Sequence, residues 1–171
     1  RAEADDIIAH LARKYHGQEK IMIVSSDKDF QQLQRYPNVE QFSPRTKKKL
    51  KCKDPESFLK EHIIRGDSSD GIPNVLSDDD TFVSPDKRQK RLTQKTLNVI
   101  HEDLAFGEAP KGLERNWDRN QSMIDFDRIP EWLIADIENE WNKPINGSRS
   151  KLFNYFVTKR LKNLMEHIEE F

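Results

Sequence analysis

Three clusters of carboxylates carry the candidate chemistry of this sequence. Each stands at the boundary of a predicted element: Glu3, Asp5 and Asp6; Asp27 and Asp29; Asp67 and Asp70. If the clusters converge, two carboxylates about 4 Å apart repel by roughly 4 kcal/mol at an effective dielectric near 20, so cations are needed. Oxygen ligands suit Mg²⁺ or Mn²⁺ rather than zinc. Two such ions can activate water and stabilise the leaving oxygen of a phosphodiester.

Simpler explanations exist for each cluster taken alone. Acids in a first helical turn suit the helix dipole, and a lone D-x-D commonly caps a helix. In a helix, Glu3 shares a face with Asp6, and Asp67 with Asp70, but Asp5 points elsewhere. The five histidines are scattered and are predicted to be structural or solvated: His10, His16, His62, His101 and His167. Ser25 and Ser26 have no base partner in the pattern, which excludes a serine nucleophile.

Basic residues gather in two runs. Six of the nine residues in RTKKKLKCK, 45–53, are Lys or Arg, and DKRQKRLTQK follows at 86–95. A solvated hairpin explains the first run equally well when it is considered alone. Beside a carboxylate metal site, contact with the phosphates of a nucleic acid becomes the better interpretation.

The composition limits the class of protein. The chain has 171 residues, 35% hydrophobic and 35% charged, with a net charge of −1. A single cysteine, Cys52, excludes an internal disulfide framework and fits a reducing cytoplasm. No apolar run approaches a membrane span and no signal peptide is recognisable, so we expect a cytoplasmic protein, in the infected bacterial host if it is phage-encoded.

The elements that must position the acids follow an α/β order. The apolar spacing over 3–16 predicts a helix that Gly17 ends, and KIMIVSS predicts a strand buried on both faces, as in a parallel sheet. A short helix over KDFQQLQRY, two strands around the Ser-Pro turn of VEQFSPRTKKKLKCK, and a helix over DPESFLKEHIIRG follow. The last helix has an Asp cap, an initial Pro and Gly66 at its end.

Sheet signals stop after residue 66. Residues 76–92 are polar, have little to bury, and are predicted to form a mobile loop that becomes ordered on DNA. Helical patterns cover about 93–105, 111–121, 130–141 and 149–168. In the last pattern, the side chains near one face are predicted to be core: Leu152, Phe153, Phe156, Leu161, Leu164 and Ile168.

The order of the motifs resembles a known family. EADD, then VSSDKDFQQL, then a hairpin with SPR, then RGDSSDGIPNV are similar to the 5′-nuclease, or flap endonuclease, family. SMIDFDRIP and the aromatic C-terminal segment most resemble its phage 5′-to-3′ exonucleases. The resemblance implies a PIN-like parallel-sheet catalytic domain over 1–65, incomplete here. A mostly helical domain follows over 66–171, with a modified helix-hairpin-helix DNA-binding element and a polar insertion at 76–92.

The resemblance also implies site residues and activity. All seven acids become ligands of two Mg²⁺ or Mn²⁺ ions, with Asp5, Asp27 and Asp29 at the catalytic centre. The implied DNA-binding residues are Lys47, Lys48, Lys49, Lys51, Lys87, Arg88, Lys90, Arg91, Lys95 and Thr96. The implied activity is cleavage of RNA primers and 5′ flaps of DNA during replication. Partners are DNA and RNA–DNA duplexes with 5′ ends or flaps, and a phage single-stranded-DNA-binding protein is a further candidate. We expect no membrane partner and a monomer.

The sequence departs from the family pattern in two ways, and several alternative functions stay open. Lys95 and Thr96 match the family's hairpin, but its glycines are absent, which leaves the hairpin and a bound monovalent cation open. The family's first strand and N-terminal metal aspartates would precede residue 1. We therefore expect a C-terminal half that is inactive alone. The alternatives are a catalytically dead DNA-binding replication module, a 5′-nuclease domain of a DNA polymerase and, remotely, a D-x-D glycosyltransferase.

Overall fold

The computed structural model describes residues 2–105, 109–144 and 149–170. Two compact units are present, residues 1–137 and 138–171. The domain boundary predicted at residue 65 from the sequence stays a prediction. Within the described ranges, no helix is both long enough and apolar enough to cross a membrane.

The first helix, α1, runs over Ala4–Tyr15 as predicted. At its start the backbone N–H of Glu3 donates to Asp6 Oδ2 at 3.0 Å, which satisfies a donor that the helix itself leaves unpaired. Ala9 and Ala12 are buried and pack with Phe30 and Leu33 in the first hydrophobic core. The acidic N-terminus of α1 is thereby fixed against the sheet region.

A mixed three-stranded sheet follows. Strands β1 (Ile21–Val24), β2 (Val39–Ser43) and β3 (Lys48–Leu50) lie in the order β1-β2-β3. The first pair is parallel, with a 3₁₀ helix over Asp29–Arg35 between its strands, and the second pair is the predicted antiparallel hairpin.

The prediction that the first strand is buried on both faces is wrong. Ile23 is buried in the core, but the side chains of Met22 and Val24 are 42% and 65% exposed. Strand β1 lies at one edge of the sheet, and among the described residues only one of its faces packs against the core.

Helix α2 spans Pro55–Arg65, and its ends match the sequence signals. Asp54 Oδ1 accepts a hydrogen bond from the backbone N–H of Ser57 at 3.0 Å. Gly66 follows with φ +66°, where a Cβ would come within 2.6 Å of the Pro73 carbonyl group. Glycine is therefore required at this helix end, both for its backbone conformation and for the close approach of the next loop.

Three helices complete the first unit and its boundary: α3 (Gln94–Ala105), α4 (Glu114–Ile124) and α5 (Glu131–Trp141). Helix α4 begins three residues later than predicted. Leu59 and Ile63 of α2 pack with Ile72 and Ile124 in a second core. A third core joins Ile64 to residues of the following loop and of α3. These cores attach the helical region to the loop that carries Asp67 and Asp70.

The prediction of a single helix over 149–168 is wrong. The described part contains α6 (Leu152–Thr158) and α7 (Lys162–Glu166), separated by Arg160 at φ +55°. The Arg160 and Leu161 N–H groups donate to the carbonyls of Val157 and Phe156, which is a Schellman helix end without its usual glycine. Consequently the predicted apolar face does not form. Phe156 is buried, but Phe153, Leu161 and Leu164 are exposed.

The segment 76–92 lacks helices and strands but has packed contacts. Ser77 and Thr81 are buried, and Ser77 Oγ accepts from the backbone N–H of Lys90 at 2.9 Å. Arg119 of α4 donates to Asp79 at 2.7 Å and to the Ser77 carbonyl at 3.1 Å. These hydrogen bonds, together with Leu92, which packs against the third core, hold a segment for which the sequence predicts little burial. Its ordering on DNA stays a prediction.

Candidate active site

Six of the seven predicted acids line one cavity of about 360 Å³. They are Glu3, Asp5, Asp6, Asp27, Asp29 and Asp70. The first three come from the start of α1, the next two follow β1, and the last lies in the turn after α2. Asp5 lines the cavity with Glu3 and Asp6, so the expectation that helical geometry directs it elsewhere is wrong. At the end of a helix, side chains from more than one face can reach the same cavity.

The turn after β1 is fixed by hydrogen bonds to its backbone. The N–H of Asp29 donates to Asp27 Oδ1 at 3.0 Å, and the N–H of Asp27 donates to Ser25 Oγ at 3.1 Å. Gln41 of the neighbouring strand is fully buried and donates Nε2 to the carbonyls of Ser25 and Asp27 at 3.0 and 2.5 Å. The two strand-end carboxylates therefore project from a rigid turn.

Two of the carboxylates that line the cavity have raised pKa values. Burial, followed by the charges of Asp27 and Asp29, raises the pKa of Asp5. Burial, followed by the charges of Asp67, Asp29 and Asp27, raises the pKa of Asp70. Carboxylates from three separate segments thus repel one another in the cavity, and a bound cation would reduce this repulsion.

Asp67 lies beside this cavity rather than on its lining. Residues 67–72 form a turn closed by an Asp67–Ile72 bridge, not the helix in which Asp67 and Asp70 would share a face. The side chain of Asp67 is 3% exposed, and Lys28 Nζ lies 2.8 Å from its Oδ2. Burial acts to raise the pKa of Asp67, but hydrogen bonds from Lys28 and Ser69 outweigh it and hold the pKa at about 2. Asp67 is therefore a paired carboxylate.

His62 belongs to this group, although its sequence context gave no signal. It was predicted to be structural or solvated, yet its Nε2 lies 2.8 Å from Asp29 Oδ1 and 3.6 Å from Asp67 Oδ2. Ligand atoms of these three residues all lie within 4.8 Å of one another, which makes them a possible metal-binding group. The contact joins residues 33 positions apart, so no local spacing could have revealed it.

The predicted basic residues lie on two surfaces. On the hairpin, Lys47, Lys48 and Lys51 are exposed, whereas Lys49 Nζ pairs with Glu40 at 2.6 Å. In the second run, Lys87 pairs with Asp80 at 2.7 Å and with Asp78 at 3.2 Å, and Lys90 lies 4.0 Å from Asp78. Arg88, Arg91 and Lys95 are exposed, and Thr96 bonds to Thr93 at the start of α3.

Comparison with known proteins gives the class first. Residues 1–62, which contain α1, the sheet and five of the cavity acids, match the family model "5'-3' exonuclease, N-terminal resolvase-like domain". The class is thus that of a 5′-nuclease with a resolvase-like N-terminal domain and a helical region after it.

The more specific assignment comes from the rest of the chain. Residues 54–171 match the family model "T4 RNase H, C terminal". The chain is also 36% identical over 177 residues to Ribonuclease H of Enterobacteria phage T4, covering 99% of this chain. The chain therefore belongs to the T4 RNase H family of 5′-nucleases. It spans 58% of the length of that curated relative.

Proposed function

We propose that this chain carries the acidic wall of a metal-dependent 5′-nuclease that cleaves RNA primers and 5′ flaps of DNA during replication. The single observation that carries the proposal is the convergence of six carboxylates, from three separate segments, on one cavity. Membership of the T4 RNase H family supports the same class of reaction.

The residues suit two Mg²⁺ or Mn²⁺ ions. The cavity is lined by carboxylate oxygens, which these ions prefer, and burial together with the neighbouring carboxylates raises the pKa of Asp5 and of Asp70. Asp5, Asp27 and Asp29 would hold the ions at the catalytic centre, with Glu3, Asp6 and Asp70 as further ligands. When bound, the ions supply Lewis-acid stabilisation and an activated water.

The remaining residues of the site orient these ligands. Gln41 and Ser25 fix the turn that carries Asp27, and His62 holds one oxygen of Asp29. Lys28 neutralises Asp67, which lowers the negative charge next to the cavity. Asp67 acts in this arrangement as a ligand through water, or as a partner that positions Lys28 and His62.

The basic surfaces would contact the phosphates of the substrate. Lys47, Lys48 and Lys51 extend from the hairpin formed by β2 and β3, and Arg88, Arg91 and Lys95 lie in and after the polar insertion. Such contacts depend on charge rather than base sequence, so they suit an enzyme that recognises a strand end. We propose that α2, the segment over 66–93 and α3 form the modified helix-hairpin-helix element.

The test is cleavage of a 5′-labelled RNA–DNA hybrid and of a 5′-flap duplex. It uses the chain and the longest natural protein that carries this sequence, each with Mg²⁺, Mn²⁺ or EDTA. We expect the chain alone to be inactive, and the longer protein to release 5′ products in a metal-dependent manner. The Asp27→Asn and Asp29→Asn variants of the longer protein should lose this cleavage, whereas Asp136→Asn, an exposed acid on α5, should retain it. DNA binding without any cleavage by the longer protein would instead favour a catalytically dead replication module.

A further inference from the structure

The candidate cavity has a second wall that the nuclease proposal does not use. Residues 122–126 and 128–130, from the end of α4 to Pro130, line the cavity together with the six acids. Met123, Phe126, Ile129 and Pro130 give this wall an apolar surface, and Arg128 adds a positive charge. The first wall is therefore strongly anionic, whereas the second is largely apolar and carries one anionic and one cationic residue, Asp125 and Arg128.

We propose that this wall binds the sugar and base of the nucleotide whose phosphate lies at the acidic wall; the inference rests on the nuclease function proposed above. A ligand for such a cavity needs an anionic group that metal ions attach to the carboxylates, and an apolar body. A nucleotide has both parts. The cavity volume, about 360 Å³, is near the lower end of small-ligand sites, so one terminal nucleotide suits it better than a duplex segment.

The apolar wall is accessible to a ligand, and part of it packs against the first hydrophobic core. The Met123 side chain is 66% exposed although it lines the cavity. Phe126 and Ile129 are partly buried against the first hydrophobic core, with the Phe126 ring 6.0 Å from that of Phe30. A base that stacks against this wall therefore meets side chains whose positions the core already fixes.

A buried glutamine fixes the second wall relative to the acids. Gln32 is fully buried, and its Nε2 donates to the Ile124 carbonyl at 2.9 Å. Its Oε1 accepts from the backbone N–H of Phe126 at 3.1 Å. Gln32 lies on the same 3₁₀ helix that begins at Asp29. One short helix thus positions a strand-end acid and the opposite wall, so the binding geometry exists before the ligand arrives.

Three ion pairs also hold the segment. Arg35 Nη2 lies 2.6 Å from Asp127 Oδ1, and Arg13 of α1 lies 3.7 Å from the same oxygen. Arg128 pairs with Asp118 of α4, and its side chain is 43% exposed at the cavity. A guanidinium held in this way can stack on a base or contact a second phosphate. The wall thereby suits the 5′-terminal nucleotide of a strand.

The experiment measures binding of dAMP and of inorganic phosphate to the full chain at saturating Mn²⁺, by calorimetry. Base stacking should make dAMP bind about tenfold tighter than phosphate. The variant is Met123→Gln, which keeps side-chain length and helix propensity. It should lose most of that tenfold advantage and keep wild-type affinity for phosphate and for Mn²⁺.

The matched control is Met22→Gln, an exposed methionine on β1 outside this cavity, which should bind dAMP like the wild type. Met123→Ser, checked by circular dichroism, should reproduce the loss. Equal affinities of the wild type for dAMP and phosphate, or a dAMP affinity that both Met123 variants retain, would overturn the inference and leave the metal site standing. Failure of the wild type to bind Mn²⁺ would overturn the proposed function itself.

Discussion

His62 Nε2 lies 2.8 Å from Asp29 Oδ1 and 3.6 Å from Asp67 Oδ2, although its side chain is only 6% exposed. A buried donor at this distance restricts the rotation of the Asp29 carboxylate at the edge of the cavity. On the other side of the pair, Lys28 holds Asp67. The orientation of one cavity acid therefore depends on a residue from α2.

We predict that His62→Leu weakens Mn²⁺ binding by about tenfold, because partners of metal ligands typically contribute 10- to 100-fold to affinity. His62→Gln should lose less, since its amide can still donate to Asp29. Calorimetric titration gives both values, and His101→Leu, an exposed histidine outside the cavity, serves as the control. Unchanged Mn²⁺ affinity in His62→Leu would show that this contact does not support the site.

Gln32 should be a major contributor to stability. Replacing it with Leu leaves a carbonyl and an N–H without their partner in the core, so we expect the free energy of unfolding to fall by about 2 kcal/mol or more. Urea denaturation of Gln32→Leu and of Gln18→Leu, an exposed control in the turn after α1, measures the effect. Equal stabilities of the two variants would contradict it.

Asp79 should make stability depend on pH in the acid range. Hydrogen bonds from Arg115 and then Arg119 hold the pKa of Asp79 at about 2. Because this folded-state value lies below the usual value of about 3.9, the stabilisation is complete above that value and disappears as the pH falls towards 2. The difference in Tm between the wild type and Asp79→Asn should therefore be constant at higher pH and shrink between about pH 4 and pH 2.

The measurement for this prediction is thermal unfolding followed by circular dichroism across that range. Asp86→Asn, an exposed acid in the same segment, controls for the loss of one negative charge. A Tm difference for Asp79→Asn that stays constant down to pH 2 would argue against the two arginine contacts.

The hairpin lysines should contribute sequence-independent DNA affinity. We expect the variant Lys47→Gln, Lys48→Gln, Lys51→Gln to reduce the slope of log affinity against log salt by about 0.9 for each lost phosphate contact on duplex DNA. Lys49 pairs with Glu40, so Lys49→Gln should change the slope less. Lys111→Gln, an exposed lysine in a turn, is the control. An unchanged slope in the triple variant would instead favour a solvated hairpin that does not contact DNA.

Local signals predicted the parts of the fold that depend on neighbouring residues. The Asp54 cap, Pro55 and Gly66 fixed both ends of α2, because capping and backbone conformation are decided within a few positions. The convergence of six of the acids on one cavity also follows from local signals, because each cluster stands at an element boundary and the boundaries of α/β elements converge at the ends of strands.

The features of the fold and the site that local signals did not reveal depend on contacts between residues distant in the sequence. Gln32 and Phe126 are 94 positions apart, and His62 and Asp29 are 33 apart, so no spacing in the sequence connects them. The helix end at Arg160 lacks the glycine that normally signals it. The polar insertion has no apolar pattern, and the hydrogen bonds that pack it through Ser77 and Arg119 join residues that are distant in the sequence.

The central claim is that the acid-lined cavity binds divalent ions, and Mn²⁺ titration followed by electron paramagnetic resonance tests it most directly. The wild-type chain should bind two Mn²⁺ ions. The double variant Asp27→Asn, Asp29→Asn should lose at least one of them, whereas Asp136→Asn should bind both like the wild type. Wild-type Mn²⁺ stoichiometry and affinity in the double variant would contradict the account.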